Sequence, residues 1–112
     1  MIEKTKLDEL LSKFYNEMRS IFKDKLIQVI LFGSYTTGNQ DEESDIDVMI
    51  LVDVDKIKAK EYMESVINVV CELDLEYDVV LSPIIQSCEE FNEYKDVLPF
   101  FKNVQKGVRI SA

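Results

Sequence analysis

The 112-residue chain contains no histidine and no tryptophan, and it has only two cysteines, two prolines and three glycines. Without histidine, the usual general base and the usual zinc ligand are missing, which excludes Ser-His-Asp and Cys-His hydrolases. Cys71 and Cys88 show no CxxC spacing, so buried reduced thiols are favoured over a disulfide or a metal site. Any catalysis must therefore use carboxylates, hydroxyls, lysine, tyrosine, cysteine or a metal held by oxygen atoms.

Basic residues are also in the minority, with 13 Lys and Arg against 22 Asp and Glu and a formal net charge of −9. Neutralising phosphates requires clustered Lys and Arg, so direct binding to nucleic acid or to an anionic membrane is disfavoured. No apolar run approaches the roughly 20 residues of a membrane span, and the charged N-terminus lacks the apolar core of a signal peptide. We expect a cytoplasmic protein folded as a single domain over residues 1–112.

The hydrophobic pattern predicts a mixed α/β fold in the order helix, strand, loop, strand, helix, strand, helix. Apolar residues at helical spacing predict the helices, and two nearly continuous apolar runs predict buried strands. The predicted elements are helices over residues 5–22 and 57–70, strands over 26–32, 46–52 and 76–81, and a polar loop over 33–44. Ser82-Pro83 is expected to end the third strand.

The C-terminal part is predicted to add short helices. Ser87-Cys88-Glu89-Glu90 has the pattern of a capping box that opens a helix, and one more short helix is expected between Leu98 and Gly107. The connection between the first two strands is too short for a standard crossover helix with its loops. We therefore expect an antiparallel first pair of strands within a small mixed sheet, with helices packed on it.

Two aspartates near the start of the second predicted strand are the strongest candidates for chemistry. Asp47 interrupts an apolar run between Ile46 and Val48, where a charge is costly unless it is paired or bound to a cation. Asp45 lies two positions earlier, so the period of a strand places both carboxylates on one face with Cα atoms about 7 Å apart. Such a pair can share a divalent ion or bridge two ions about 4 Å apart, as in phosphoryl and nucleotidyl transfer.

Asp78 interrupts the third predicted strand in the same manner. If that strand lies beside the second one, three carboxylates converge, and oxygen ligands alone suit Mg²⁺ or Mn²⁺. The alternative is an edge-strand carboxylate that faces water. Asp53 and Asp55 form a second Asp-x-Asp pair, for which a strand exit followed by a helix N-cap is favoured.

Gly33 and Ser34 directly follow the first predicted strand. Glycine lets the backbone approach a ligand, and the N–H groups of a tight turn can cradle a phosphate, to which a serine hydroxyl adds a donor. Alone, such a pair is more often an ordinary turn. Its combination with Asp-x-Asp at a strand start ten residues later is much less ordinary by composition.

This combination resembles the signature of the minimal nucleotidyltransferase domain of the polymerase-β-like superfamily. The match includes Gly38 and the serine before the first aspartate, and the helix and strand order covers almost the whole chain. The resemblance implies the polymerase-β-like nucleotidyltransferase fold. It also implies site residues: Asp45, Asp47 and Asp78 as catalytic residues and ligands of two Mg²⁺ ions, with Mn²⁺ as an alternative, and Gly33, Ser34 and Ser44 as nucleotide-binding residues.

Stand-alone chains of this length resemble the antitoxins encoded beside HEPN-domain toxins. The resemblance implies transfer of AMP from ATP onto a tyrosine of the toxin, so the expected partners are ATP and a HEPN-domain toxin, in a hetero-oligomer or a homodimer. Many members carry a basic residue directly before the second glycine, where this chain has Thr37. A cation that contacts phosphate is then either absent or supplied elsewhere.

A second hypothesis is a non-catalytic module of the same fold that neutralises its partner by contact. Its acidic surface would cover a basic face of the partner, and C-terminal aromatic residues would supply an apolar anchor, although packing on the sheet is favoured for them. These residues are Phe91, Tyr94, Phe100 and Phe101. A phosphoacceptor receiver domain is disfavoured, because it needs five alternating strand and helix units that begin with a strand.

Overall fold

The computed structural model describes residues 2–33, 35 and 45–111. The helices are α1 (Lys4–Phe22), α2 (Lys56–Ala59), α3 (Met63–Tyr77), α4 (Cys88–Tyr94) and α5 (Pro99–Gln105), and the strands are β1 (Leu26–Phe32), β2 (Ile46–Val52), β3 (Leu81–Ser87) and β4 (Val108–Ile110). Short 3₁₀ turns at Lys23–Lys25 and Lys60–Tyr62 precede β1 and α3. Among these helices, none combines the length and the apolar character needed to cross a membrane.

The four strands form one mixed sheet in the order β3-β2-β1-β4. β1 pairs antiparallel with β2, with Phe32 opposite Asp47, and β4 pairs antiparallel with the other side of β1. β2 and β3 run parallel, with Ser82 opposite Asp47, and the helices α2 and α3 provide the crossover between them. The mixed sheet with its antiparallel first pair confirms the prediction from the sequence.

Helices cover both faces of the sheet and form two cores. α1 and α3 pack on one face, in a cluster that includes Phe14 and Val48. α4 and α5 pack on the other face, in a cluster that includes Phe32 and Phe91. Because alternate residues of a strand face opposite sides, Asp47 lies on the α4 and α5 face, on the same side as its cross-strand neighbour Phe32.

The third strand begins later than the sequence predicts. α3 continues through Glu76 and Tyr77, and β3 begins only at Leu81, so the predicted strand over 76–81 is wrong. Lys13 of α1 lies 2.6 Å from the carboxylate of Glu76, and the hydroxyl of Tyr77 donates to Glu9 of α1 at 2.8 Å. These tertiary contacts favour a further helical turn, which local propensity does not reveal.

Asp78 is therefore not a strand residue. It caps α3 in the left-handed region, with φ 53° and ψ 53°, and its backbone N–H donates to the carbonyl of Asp74. Glycine is the usual residue at such a helix end, so its absence removed the main sequence signal for this boundary. Asp adopts the left-handed conformation more readily than the β-branched residues Val79 and Val80 that follow.

Pro83 does not end β3, contrary to the prediction. β3 is at the edge of the sheet, where a residue without an N–H group is tolerated. The strand continues to Ser87, whose hydroxyl accepts from the N–H of Glu90 at 3.4 Å and so confirms the predicted helix start. The predicted N-cap at Asp55 is also confirmed, because its carboxylate accepts from the N–H of Lys58 at 2.7 Å.

The short strand β4 has no counterpart among the predicted elements. It contains three residues, two of them exposed, so it shows no buried face that a pattern could reveal. A Cβ at the preceding Gly107 would overlap the carbonyl oxygen of Leu31. The close approach of two backbones explains why glycine stands at this position.

The predicted burial of the cysteines and of the C-terminal aromatic residues is only partly confirmed. Both cysteines are free, as predicted, but Cys71 is exposed rather than buried, because it lies on the outer side of α3. Phe91 and Phe101 are buried against the sheet, whereas Tyr94 and Phe100 are exposed. The ring of Phe100 nevertheless contacts Phe32 of β1, with centroids 5.6 Å apart, so the favoured interpretation that the aromatic residues pack on the sheet holds for Phe91, Phe101 and in part for Phe100.

Candidate functional site

The candidate site lies at the end of the sheet where β1 ends and where β2 and β3 begin. Gly33 follows β1, Asp45 directly precedes β2, and Asp47 is the second residue of β2. Phe32 and Ser82 lie on either side of Asp47 in the neighbouring strands. The structure thus brings the glycine turn and both aspartates of the Asp-x-Asp pair to one end of the sheet.

Gly33 lies directly against the carboxylate of Asp47. Its φ of +78° is in the left-handed region, and a Cβ at this position would overlap Oδ2 of Asp47 and lie 3.2 Å from its Cγ. Only glycine satisfies both the backbone conformation and the close approach without strain. The turn after β1 is therefore shaped around the carboxylate of Asp47.

The charge on Asp47 is destabilised by its surroundings. The side chain is half-buried. Burial, and after it the negative charge of Asp45, raises the pKa of Asp47 above its ordinary value of 3.8. A bound cation would relieve both effects, and two carboxylates without nitrogen or sulfur donors suit a hard divalent ion. The residues present therefore fit Mg²⁺.

Asp74 of α3 is a nearby carboxylate that the sequence reasoning missed. Its Oδ1 accepts a hydrogen bond from the N–H of Leu81 at 2.9 Å, and Leu81 lies opposite Ile46, between the two site aspartates. Burial is the main cause that raises the pKa of Asp74, the bond from Leu81 opposes the rise, and the charge of Asp45 adds to it. Asp74 lies one helical turn after the buried Val70, on the inward face of α3. An acidic residue at such a position is unusual, and this could have identified Asp74 from the sequence.

Asp78, the predicted third acid, is exposed at the end of α3. The position of β3 that faces Asp47 is Ser82 instead. Within residues 2–33, 35 and 45–111, no group of three or more Asp, Glu, Cys or His side chains is arranged to hold a metal ion. The acidic side chains that the structure brings close enough to affect each other's charge at this end of the sheet are Asp45 with Asp47, and Asp45 with Asp74.

Most of the remaining predicted site residues belong to the part of the chain that the structure does not describe. Ser34, Gly38 and Ser44 lie outside the described residues, and so does Thr37. Of the predicted nucleotide-binding residues, the structure therefore describes Gly33, whose backbone passes beside Asp47 with no side chain between them.

Comparison with solved structures finds one described as "Crystal structure of the toxin-antitoxin with AMP-PNP". The match has a TM-score of 0.41 and 24% sequence identity, and it covers 73% of this chain and 67% of that chain.

Comparison with known sequences finds relatives in Methanocaldococcus jannaschii. "Putative protein adenylyltransferase MJ0141" is 45% identical over 78 residues, which is 69% of this chain and 76% of the relative. "Putative protein adenylyltransferase MJ0604" is 36% identical over 103 residues, which is 92% of this chain and 95% of the relative. A family model described as "Nucleotidyltransferase domain" matches residues 11–110. The chain therefore belongs to the nucleotidyltransferase domain family and is a nucleotidyltransferase.

Proposed function

We propose that the chain is a cytoplasmic, Mg²⁺-dependent protein adenylyltransferase that transfers AMP from ATP to a tyrosine of a HEPN-type toxin and so acts as an antitoxin. The observation that carries the proposal is the close approach of Gly33 to the carboxylate of Asp47, whose charge is also affected by the neighbouring Asp45. The names of the relatives support a protein as the acceptor of AMP. The toxin partner rests on the resemblance to minimal nucleotidyltransferase antitoxins.

Asp45 and Asp47 would hold the metal in this reaction. When bound, two Mg²⁺ ions would neutralise phosphate charge and lower the pKa of the acceptor hydroxyl. The tyrosine oxygen attacks the α-phosphorus of ATP, the bond to the β-phosphate breaks, and pyrophosphate leaves while a carboxylate of the site takes the hydroxyl proton. Glycine lets the backbone at position 33 approach the phosphates closely, and Ser34 and Ser44 are the proposed further contacts of the triphosphate.

The net charge of −9 has a consequence for nucleotide binding. Free ATP is an anion, so the protein repels it unless a cation shields the phosphates and the site carboxylates. We therefore propose that ATP binding, as well as the chemical step, depends on the divalent metal.

The proposal is tested with the protein encoded by the adjacent reading frame as the acceptor. The chain is incubated with ATP, Mg²⁺ and this protein, which is then weighed by intact-mass spectrometry. We expect one adenylyl increment, located on a tyrosine by peptide fragmentation. The matched control is Asp45→Asn/Asp47→Asn, for which no increment is expected. An acceptor that gains no mass, or gains it equally with the control, would contradict the proposal.

The second candidate function is neutralisation of the toxin by contact alone. The observation that favours it is the exposure of Tyr94 and Phe100, which leaves apolar rings at the surface. Inhibition of the toxin in the absence of ATP, retained by Asp45→Asn/Asp47→Asn, would support this candidate over the enzymatic one.

The identity of the third acid is tested by comparing Asp74→Asn with Asp78→Asn. Asparagine keeps an oxygen that accepts the bond from Leu81 but removes the charge. Because the charge of Asp74 interacts with that of Asp45 at the proposed metal site, we expect Asp74→Asn to lower the initial rate of AMP transfer about 10- to 100-fold, as losses of supporting carboxylates do. Asp78→Asn is expected to retain most of the rate.

Thermal unfolding serves as the control, because both variants should unfold cooperatively like the unsubstituted chain. A larger loss in Asp78→Asn than in Asp74→Asn would favour the original prediction that Asp78 completes the site.

A further inference from the structure

We propose that the exposed corner between α4 and α5 is the docking surface for the acceptor protein, and that it binds a segment with apolar side chains flanked by Lys or Arg. This corner patch consists of Tyr94, Val97, Leu98 and Phe100. The inference rests on the proposed function in one respect, because it assumes that the acceptor of AMP is a protein.

The corner patch presents four large apolar side chains within seven residues of chain, each between 40% and 68% exposed. Its backbone is ordered by two hydrogen bonds, since the carbonyl of Tyr94 accepts from the N–H groups of Val97 and Leu98 at 3.0 Å each. Scattered single apolar residues are normal on a protein surface, whereas a contiguous exposed group marks an interaction site. A preformed turn also lowers the entropy cost of binding.

A short path of contacts joins the corner patch to the candidate site. The ring of Phe100 meets the ring of Phe32 edge-on, with centroids 5.6 Å apart. Phe32 is in turn the antiparallel partner of Asp47, on the same face of the sheet. Side chains of such partners lie about 5 Å apart, so the ring of Phe100 lies roughly 10 Å from the carboxylate of Asp47, and a side chain docked on Phe100 lies about 4 Å farther out. A tyrosine at the edge of the docked segment is within reach of the site.

Carboxylates lie next to the corner patch in the chain and line the groove that reaches Tyr94, and they favour a positively charged partner. Residues 87–98 include four acidic side chains and one lysine: Glu89, Glu90, Glu93, Asp96 and Lys95. In the described part of the chain, none of these four acids forms an ion pair. An open groove of about 350 Å³ reaches Tyr94 and is lined by Asp55, Lys56, Glu89, Glu90 and Glu93. Basic side chains of a partner would supply the missing positive charge.

An apolar centre with a charged rim is the usual composition of a specific protein interface. A second copy of this chain is disfavoured as the occupant, because it carries the same acidic rim and the same net charge of −9. The other strongly exposed apolar residues include Ile57, which lies between two lysines, and Leu75 near the C-terminal end of α3, which packs on the opposite face of the sheet from the corner patch. These two positions provide a matched control.

The experiment uses two synthetic peptides and the 112-residue chain without ATP or metal. One peptide alternates Leu and Phe with Lys and Arg around a single Tyr, and the other replaces each Lys and Arg with Glu. Binding is followed by NMR titration of the ¹⁵N-labelled chain. We expect the basic peptide to shift resonances between residues 89 and 100, and Val97→Ser/Leu98→Ser to weaken its binding at least about tenfold. Both positions are exposed, and serine is a favourable N-cap at position 98, so this variant should stay folded.

The controls separate docking from catalysis. Ile57→Ser/Leu75→Ser and Asp45→Asn/Asp47→Asn are both expected to bind the basic peptide as the unsubstituted chain does. Because no nucleotide is present, a failure of AMP transfer leaves this result untouched. Equal binding of the acidic peptide, shifts that map outside residues 89–100, or undiminished binding by Val97→Ser/Leu98→Ser would overturn the proposal. Concentration-dependent dimerisation abolished by Val97→Ser/Leu98→Ser would also overturn it, because the patch would then serve a second copy of the chain.

Discussion

Replacing Asp45 and Asp47 together with asparagine is expected to abolish AMP transfer, with a loss of about 1,000-fold or more, because bound metal contributes several kcal/mol of transition-state stabilisation. The measurement is the initial rate of AMP incorporation at saturating ATP and Mg²⁺. Asparagine preserves the shape of both side chains, and the neighbouring residues of β2 are buried in cores that the substitution does not touch. A variant that keeps more than a tenth of the rate would contradict the assignment of these residues.

Asp47→Asn alone is expected to stabilise the metal-free protein near pH 7. Burial raises the pKa of Asp47, so the folded state holds the proton more tightly than the unfolded chain does. The corresponding stability is present at low pH and is lost as pH rises from the ordinary value of 3.8 through the raised pKa. Asparagine carries no charge and avoids this loss. Because Asp47 is only half-buried, we expect a modest gain of about 0.5 kcal/mol, or about 2–4 °C in Tm, that disappears below pH 4.

Mg²⁺ should make the unsubstituted chain more stable than variants that lack the site carboxylates. A ligand that binds only the folded state stabilises it by about 1.4 kcal/mol when its concentration is ten times its Kd. The Tm of the unsubstituted chain should therefore rise with Mg²⁺, while that of Asp45→Asn/Asp47→Asn stays constant. Equal responses of the two proteins would show that the metal binds elsewhere. This readout needs no acceptor protein and no turnover.

Gly33→Ala is expected to lower the stability of the protein and its rate of transfer together. Alanine at a φ of +78° is strained, and its Cβ would displace the carboxylate of Asp47. We expect the free energy of unfolding to fall by about 2–3 kcal/mol. A displacement of about 1 Å at a catalytic group costs on the order of 100-fold in rate. Chemical denaturation and initial rates measure the two effects separately.

A double-mutant cycle with Asp47→Ala isolates the contact between these two residues. In that background the carboxylate is absent, so the cost of Gly33→Ala should fall to the backbone strain, about 1 kcal/mol. An equal cost of Gly33→Ala in both backgrounds would mean that its Cβ does not meet Asp47, contrary to the geometry of the turn.

The part of the site that lies within one strand was predictable from the sequence. The period of a strand predicts that Asp45 and Asp47 share a face, and an aspartate within an apolar run indicated a functional role for Asp47, which the structure places in β2 against Gly33. The contact between Gly33 and Asp47 was not predictable in this way. It depends on the register that sets Phe32 opposite Asp47, and strand register is a long-range property.

The end of α3 explains why the sequence wrongly placed Asp78 in a strand. Residues 76–81 carry β-branched and aromatic side chains, so local propensity favours a strand, and no glycine marks the helix end. Contacts of Glu76 and Tyr77 with α1 favour the helical turn instead. Those partners lie more than sixty residues away in the chain, which no local pattern can reveal. Because α3 extends to Tyr77, Asp78 lies outside the sheet, and Asp74 is the acid whose carboxylate accepts the hydrogen bond from Leu81.

The sequence by itself determined the lack of histidine chemistry, the two strands β1 and β2, and the placement of Asp45 and Asp47 at the start of β2, because each depends on composition or on a short-range pattern. Only the tertiary structure decided which acid of α3 lies near β2, how closely Gly33 meets Asp47, and that Phe100 joins an exposed apolar patch to the site. These features require residues from different elements to meet, and their meeting is set by strand register and by packing between helices and sheet rather than by neighbouring residues.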